Sequence, residues 1–110
     1  MTDEAQRLGR FVANGDQEAF GELVTQHFDL VYSTALRQLN GDTHLAEDVA
    51  QTVFTDLARK ARFLTRYRVL SGWLHQAARF AAGKVVRTEQ RRRAREKQAV
   101  AMQNLDPEST

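Results

Sequence analysis

The stretch "THLAEDVAQTVFTDLARKA", residues 43–61, sets Leu45, Val49, Val53 and Leu57 at four-residue steps, with Ala46, Ala50 and Phe54 beside them. At about 100° per residue these form one apolar side of an α-helix. The opposite side collects Glu47, Asp48, Gln51, Thr52, Thr55 and Arg59. Core packing does not require that polar line. Two readings of Glu47 and Asp48 are open: first-turn acids suited to the positive end of the helix, or part of a surface that meets a partner.

The neighbouring segments follow the same periodicity. On the N-terminal side, "NGD" (40–42) ends a helix expected from about Gln17 to Leu39, which carries Phe20, Leu23, Val24, Phe28, Val31, Ala35 and Leu39. So wide a stripe predicts a central helix with neighbours on two sides. A second "NGD" (14–16) precedes it, with Asp16 suited to be the N-cap. Before that lies a short helix over roughly 3–13, with Leu8, Phe11 and Val12 as its apolar side. The two triplets are shared turn chemistry and not a longer repeat.

On the C-terminal side, "KARFLTRYRVLS" (60–71) has no clear period and reads as a connection. Ser71 is then expected to cap a fourth helix with Trp73, Leu74, Ala77, Ala78, Ala81 and Val85 on one side. Its other side presents His75, Gln76, Arg79, Phe80, Gly83, Val86, Arg87 and Gln90. The helix is expected to continue through "RTEQRRRARE" (87–96) and fray by Ala99, with "QNLDPEST" (103–110) as linker. Alanine is abundant, the only proline is Pro107, and no segment alternates with a two-residue period. The fold class is therefore all-α, a compact bundle of about four helices.

A chain of 110 residues makes one domain with a modest core. No apolar run approaches the ~20 residues of a membrane helix, and the acidic start "MTDEAQRLGR" lacks the apolar region of a signal peptide; cytoplasmic is the default expectation. With no cysteine there are no disulfides, thiol catalysis or cysteine-based zinc sites. His27, His44 and His75 have no partners at metal-ligand spacing, and His27 lies within an apolar stripe, where a core histidine is expected. No glycine-rich phosphate loop or Ser–His pairing is present. The expectation is a binding protein, not an enzyme, with neither cofactor nor metal.

Charge is sharply segregated. Residues 1–58 carry three basic and ten acidic side chains, a balance of −7, whereas residues 59–97 carry thirteen basic and two acidic, a balance of +11. Most of those thirteen are arginine, the side chain suited to bidentate phosphate contacts. Two surfaces with different partners are implied, the basic one meeting a polyanion; a solvated basic face is the plainer alternative. In the 60–71 connection, Lys60, Arg62, Arg66 and Arg68 alternate with Phe63, Leu64, Tyr67 and Leu70. Cations that hold a backbone, beside rings that accept a base, suit single-stranded nucleic acid; the alternative is a loop whose aromatics fold onto the core. The polar, arginine-bearing side of the fourth helix has the shape for a DNA groove.

These residues carry a family resemblance. "NGDQEAFGELVTQHFDLVYSTALRQL", then "DTHLAEDVAQTVFTDLARKA", then "GWLHQAARFAAGKVVRTEQRRRARE" resemble region 2 of the extracytoplasmic-function sigma factors, promoter-specificity subunits of bacterial RNA polymerase. The resemblance runs from about Leu8 to Lys97. Its most specific pieces are "AEDVAQTVF" and the "GWL…AR" opening of the last helix before an arginine run. It implies that Glu47, Asp48, Gln51, Thr52 and Thr55 dock on the clamp helices of the largest subunit of core RNA polymerase. It implies that the loop with Arg62, Phe63, Arg66, Tyr67 and Arg68 captures a base flipped from the non-template strand of the promoter −10 element. His75, Gln76, Arg79, Phe80, Lys84 and Arg87 would meet that element from the helix, and Arg91, Arg92, Arg93 and Arg95 would hold phosphates. An anti-sigma factor is a further implied partner.

Two departures from the family pattern stand out. Phe80 occupies a position where members often carry Asn in an "ARN"-like triplet, and a ring cannot make the same base-edge hydrogen bonds. Members also carry a helix-turn-helix domain that reads the −35 element; here residues 1–97 form the region 2-like domain and 98–110 are expected as linker toward such a domain. Rival readings are a helical nucleic-acid-binding module with no polymerase connection, and an interaction domain whose basic helix binds an acidic protein.

Overall fold

Both "NGD" triplets turn the chain by the same means. Gly15 sits at φ 65°, and Asn40 and Gly41 at 56° and 81°, the left-handed region open to glycine and tolerated by asparagine. The aspartate that follows is extended and caps the next helix. Ala19 N–H donates to Asp16 Oδ1 and Leu45 N–H donates to Asp42 Oδ1, each at 3.1 Å. The computed structural model describes residues 3–66 and 69–104. These form α1 (Asp3–Asn14), α2 (Gln17–Gln38), α3 (Thr43–Leu64) and α4 (Leu70–Asn104). The fold is all-α, with α2 at the centre packed against α1, α3 and α4. None of the described helices is long and apolar enough to cross a membrane.

The core follows the periodicity. Leu23, Val31 and Ala35 of α2 meet Ala46, Val49, Ala50, Val53 and Leu57 of α3. From α4 comes a row at strict four-residue steps, Leu70, Leu74, Ala78 and Ala82, and Leu8 of α1 closes one end. A fully buried leucine or valine contributes about 1.5–3 kcal/mol, so this one cluster dominates stability. Val12 and Phe28 are each 39 % exposed and Leu45 is half-buried; they sit at the edges of their stripes, where the expected apolar side is wider than the neighbours that cover it.

Three boundaries differ from expectation. Ala61 and Leu64 continue the buried row from Leu57, so α3 extends to Leu64 and carries Arg62 and Phe63 on its last turn instead of in the connection. The fourth helix starts at Leu70, with Ser71 inside its first turn. It also passes Ala99, where fraying was expected, and remains helical to Asn104. Beyond the core, Arg92 Nη2 bonds Glu89 Oε2 and Arg92 Nη1 bonds Glu96 Oε1, both at 2.8 Å. Such three- and four-residue pairs support an exposed helix by ~0.2–0.5 kcal/mol each. The projecting helix gives the molecule extents of 74 × 23 × 21 Å.

The cap that Ser71 does not supply comes from α1. Leu70 N–H donates to Glu4 Oε2 at 3.3 Å, and Glu4 Oε1 lies 2.5 Å from His27 Nε2. A carboxylate only accepts, so the facing ring nitrogen carries its proton. His27 is buried, as its place in the stripe predicts, and Glu4 satisfies it. One carboxylate thus ties α1 to α2 and to the start of α4. Glu4→Ala leaves both donors unpaired and is expected to cost about 1–3 kcal/mol in urea unfolding. Arg7→Ala, which removes a half-exposed ion pair to Glu22 at 2.8 Å and a hydrogen bond to Gln26 at 3.1 Å, is expected to cost at most about 1 kcal/mol. Equal costs would mean that Glu4 is an ordinary surface residue.

Candidate nucleic-acid and protein interfaces

Glu47, Asp48, Gln51, Thr52 and Thr55 are all exposed on α3. Because the helix begins at Thr43, its first turn contains no acid. Glu47 and Asp48 lie in the second turn, beyond the reach of the helix end, and Asp42 already caps that end. Helix-end electrostatics therefore do not account for these two acids. Thr52 Oγ1 donates to the Asp48 carbonyl at 3.1 Å and Thr55 Oγ1 to the Gln51 carbonyl at 2.8 Å. The Glu47, Asp48 and Gln51 side chains are thus the exposed polar groups of this face that are not bonded back to the helix, among the described residues.

The five residues border two different grooves. Glu47, Gln51 and Thr55 edge an apolar groove of about 440 Å³ between α2 and α3, walled by Phe20, Val24, Phe28, Ala50, Phe54 and Ala58. Phe28 stacks on Phe54 at 6.4 Å and on Tyr32 at 5.5 Å between ring centroids. Asp48 and Thr52 border a larger groove of about 720 Å³ between α3 and α4, together with Asp56, Lys60, Trp73, Gln76, Phe80 and Lys84. Sequence reasoning missed the apolar groove as a surface. Its signal was present: Phe20, Val24 and Phe28 form their own four-residue row beside the buried row Leu23, His27 and Val31.

At the α3–α4 connection, Arg62, Phe63 and Arg66 are exposed, Phe63 by 61 %, whereas Leu64 and Leu70 are buried. The connection is anchored at both ends by leucine, and the Phe63 ring is not part of the core. Tyr67 and Arg68 lie outside the described residues.

The outer side of α4 divides into two rows about 100° apart. Gln76, Phe80 and Lys84 face the groove shared with α3. Phe80 is 64 % exposed, and Lys84 Nζ lies 4.8 Å from its ring centroid. His75 and Arg79 instead face α2, beside Thr34, Arg37 and Gln38, with Arg87 further along the same row. The residues expected to form one nucleic-acid surface therefore lie on two flanks of α4.

Arg91, Arg92, Arg93 and Arg95 are fully outside the core. Arg92 differs from the others, since both terminal nitrogens are taken by Glu89 and Glu96. Among the described residues, Arg91, Arg93 and Arg95 have no ion pair or hydrogen bond. The hydrogen bond from Arg92 is the main cause that holds the Glu89 carboxyl below its usual range, and it raises Arg92 in turn. A lowered carboxyl supports the helix at neutral pH, and that support is lost as pH falls through the lowered value. Carbon-13 shifts of residues 87–96 are expected to move toward coil in acid, and Glu89→Gln is expected to remove that transition. A transition unchanged in the variant would assign it to another group.

The description Sigma-70 region 2 belongs to the family whose model matches residues 23–92, a span that includes the α3–α4 groove, the apolar groove apart from Phe20, the connection and the arginine row up to Arg92. "ECF RNA polymerase sigma factor SigE" of Mycolicibacterium smegmatis is 41% identical over 80 residues, covering 68% of this chain and 30% of that protein. "ECF RNA polymerase sigma factor SigW" of Bacillus subtilis is 36% identical over 67 residues, covering 61% of this chain and 35% of that protein. The chain thus spans about a third of the length of these relatives. No solved structure gives a significant match.

Proposed function

The chain belongs to the Sigma-70 region 2 family, and on that premise we propose that it is the sigma-factor domain that joins core RNA polymerase to the −10 element of a promoter. The observation that carries this reading is the presence of two chemically unlike surfaces on one small bundle. One is the α3 face, with Glu47, Asp48 and Gln51 exposed and an apolar groove alongside. The other is basic and begins where α3 ends, at Arg62 and Arg66, then follows α4 outward to Arg95.

In this reading Glu47, Asp48, Gln51, Thr52 and Thr55 meet the clamp helices of the largest polymerase subunit. An apolar groove edged by the Glu47 carboxylate, with Asp48 on the same helix face, suits a partner helix with an apolar stripe and a basic flank. The basic surface takes promoter DNA. Arg62, Arg66 and Arg68 hold the backbone of the non-template strand, and Phe63 and Tyr67 supply rings for an unstacked base. Extrusion of that base costs a few kcal/mol, offset by stacking and backbone contacts. Gln76, Phe80 and Lys84 line its approach from α4, and Arg91, Arg93 and Arg95 bind phosphates further along. An anti-sigma factor would act by covering one of these two surfaces. A helical nucleic-acid module with no polymerase connection leaves the α3 face and its apolar groove without a role.

Asp48→Arg is expected to abolish capture by core RNA polymerase in a pull-down while leaving helical content and melting temperature nearly unchanged. Full binding by the folded variant would mean that α3 is not the docking face. On the DNA side, Phe63→Ala is expected to cost ~1–3 kcal/mol in titrations with a single-stranded non-template −10 oligonucleotide, with little loss of stability. Unchanged affinity would remove Phe63 from the stacking surface.

A further inference from the structure

Residues 1–58 contain three cations, Arg7, Arg10 and Arg37. Two are neutralised locally, Arg7 by Glu22 at 2.8 Å and Arg10 by Asp16 at 3.6 Å. Arg37, exposed in the last turn of α2, has no carboxylate partner among the described residues. It instead borders a crevice of about 390 Å³ between α2 and α4, lined by Thr34, Arg37, Gln38, His75 and Arg79. Among the described residues no acid lines this crevice, although α2 itself carries Glu18, Glu22 and Asp29. Thr34 is 5 % exposed, and its Oγ1 is the one covered side-chain polar atom among the described residues without a hydrogen-bond partner. The dipole of α2 accounts for one cation at its C-terminal end. It does not account for a second arginine brought there by α4, an imidazole beside it, and a covered hydroxyl left unpaired.

We propose that this crevice is a phosphate-binding subsite, in which the guanidinium groups of Arg37 and Arg79 bind the oxygens of one phosphate. Two arginine forks can each offer paired N–H donors to tetrahedral oxygens, and the Gln38 amide and Thr34 hydroxyl add neutral donors. The crevice extends along the α4 row. A Cβ at Gly83 would lie 3.5 Å from Gln38 Nε2 and 3.6 Å from Arg87 Nη1, which brings a third arginine to the same edge. The phosphate chemistry stands on the crevice alone; that the phosphate belongs to the DNA backbone rests on the function proposed above. With that source, the DNA interface reaches onto α2. Arg79 then positions the duplex, and base contacts are left to Gln76 and Phe80 on the other flank.

The test uses the full 110-residue chain and two probes, inorganic phosphate and a −10 duplex. Both are expected to shift the NMR resonances of Thr34, Gln38, His75 and Arg79, and Arg37→Gln is expected to abolish the phosphate shifts. For the duplex, Arg37→Gln is expected to lower the slope of log affinity against log salt by about 0.9 and to weaken all sequences alike. Arg10→Gln, which removes a locally paired charge, is the control and leaves the slope in place. Phosphate shifts with an unchanged duplex slope would assign the crevice to a free phosphate and overturn the backbone source. Phosphate shifts in a chain that binds no duplex would sink the proposed promoter-DNA function while the subsite stands. Resonances unmoved by both probes would overturn the proposal.

Discussion

The structure depends on one narrow contact, the row Leu70, Leu74, Ala78 and Ala82 of α4 seated between α2 and α3. Leu74, Ala78 and Ala82 are completely buried. Leucines anchor the beginning of the row, and alanines at the next two steps let the backbone of α4 close on its neighbours. Only this row is fully covered, so the other rows of α4 remain available on either side of it. Each flank then takes its character from the helix it faces. The α3 side becomes a groove with Asp48, Asp56, Trp73 and Phe80, and the α2 side a crevice with Arg37, His75 and Arg79.

That arrangement sets the arginine block of α4 apart from the acids of α3 on one small bundle. Glu47 edges the apolar groove and Asp48 and Asp56 border the α3–α4 groove, whereas α4 is exposed at every residue from Arg91 to Asn104. Helicity there is maintained locally, by Arg92 between Glu89 and Glu96, and not by a core. The cost is that one arginine of the block is engaged within its own helix, which leaves Arg91, Arg93 and Arg95 as the cations free for a polyanion.

The amino-acid pattern alone determined the all-α class, the four helices and the row Val49, Val53 and Leu57, because burial of a helix face imposes a three- and four-residue period on any sequence that folds this way. It also determined the two turns, since glycine in the left-handed region and a capping aspartate are local chemistry. The family resemblance was legible for the same reason: "AEDVAQTVF" and "GWL…AR" are contiguous motifs. Local pattern does not register contacts between distant residues. Glu4 caps α4 from 66 positions away, so the helix begins one residue before the serine that a local reading selects. Only the packing of α2 against α4 decided that Arg37 and Arg79 share a crevice and that Arg79 and Phe80, adjacent in sequence, face different neighbours. A helix places consecutive residues about 100° apart, and which helix fills each direction is set by tertiary packing.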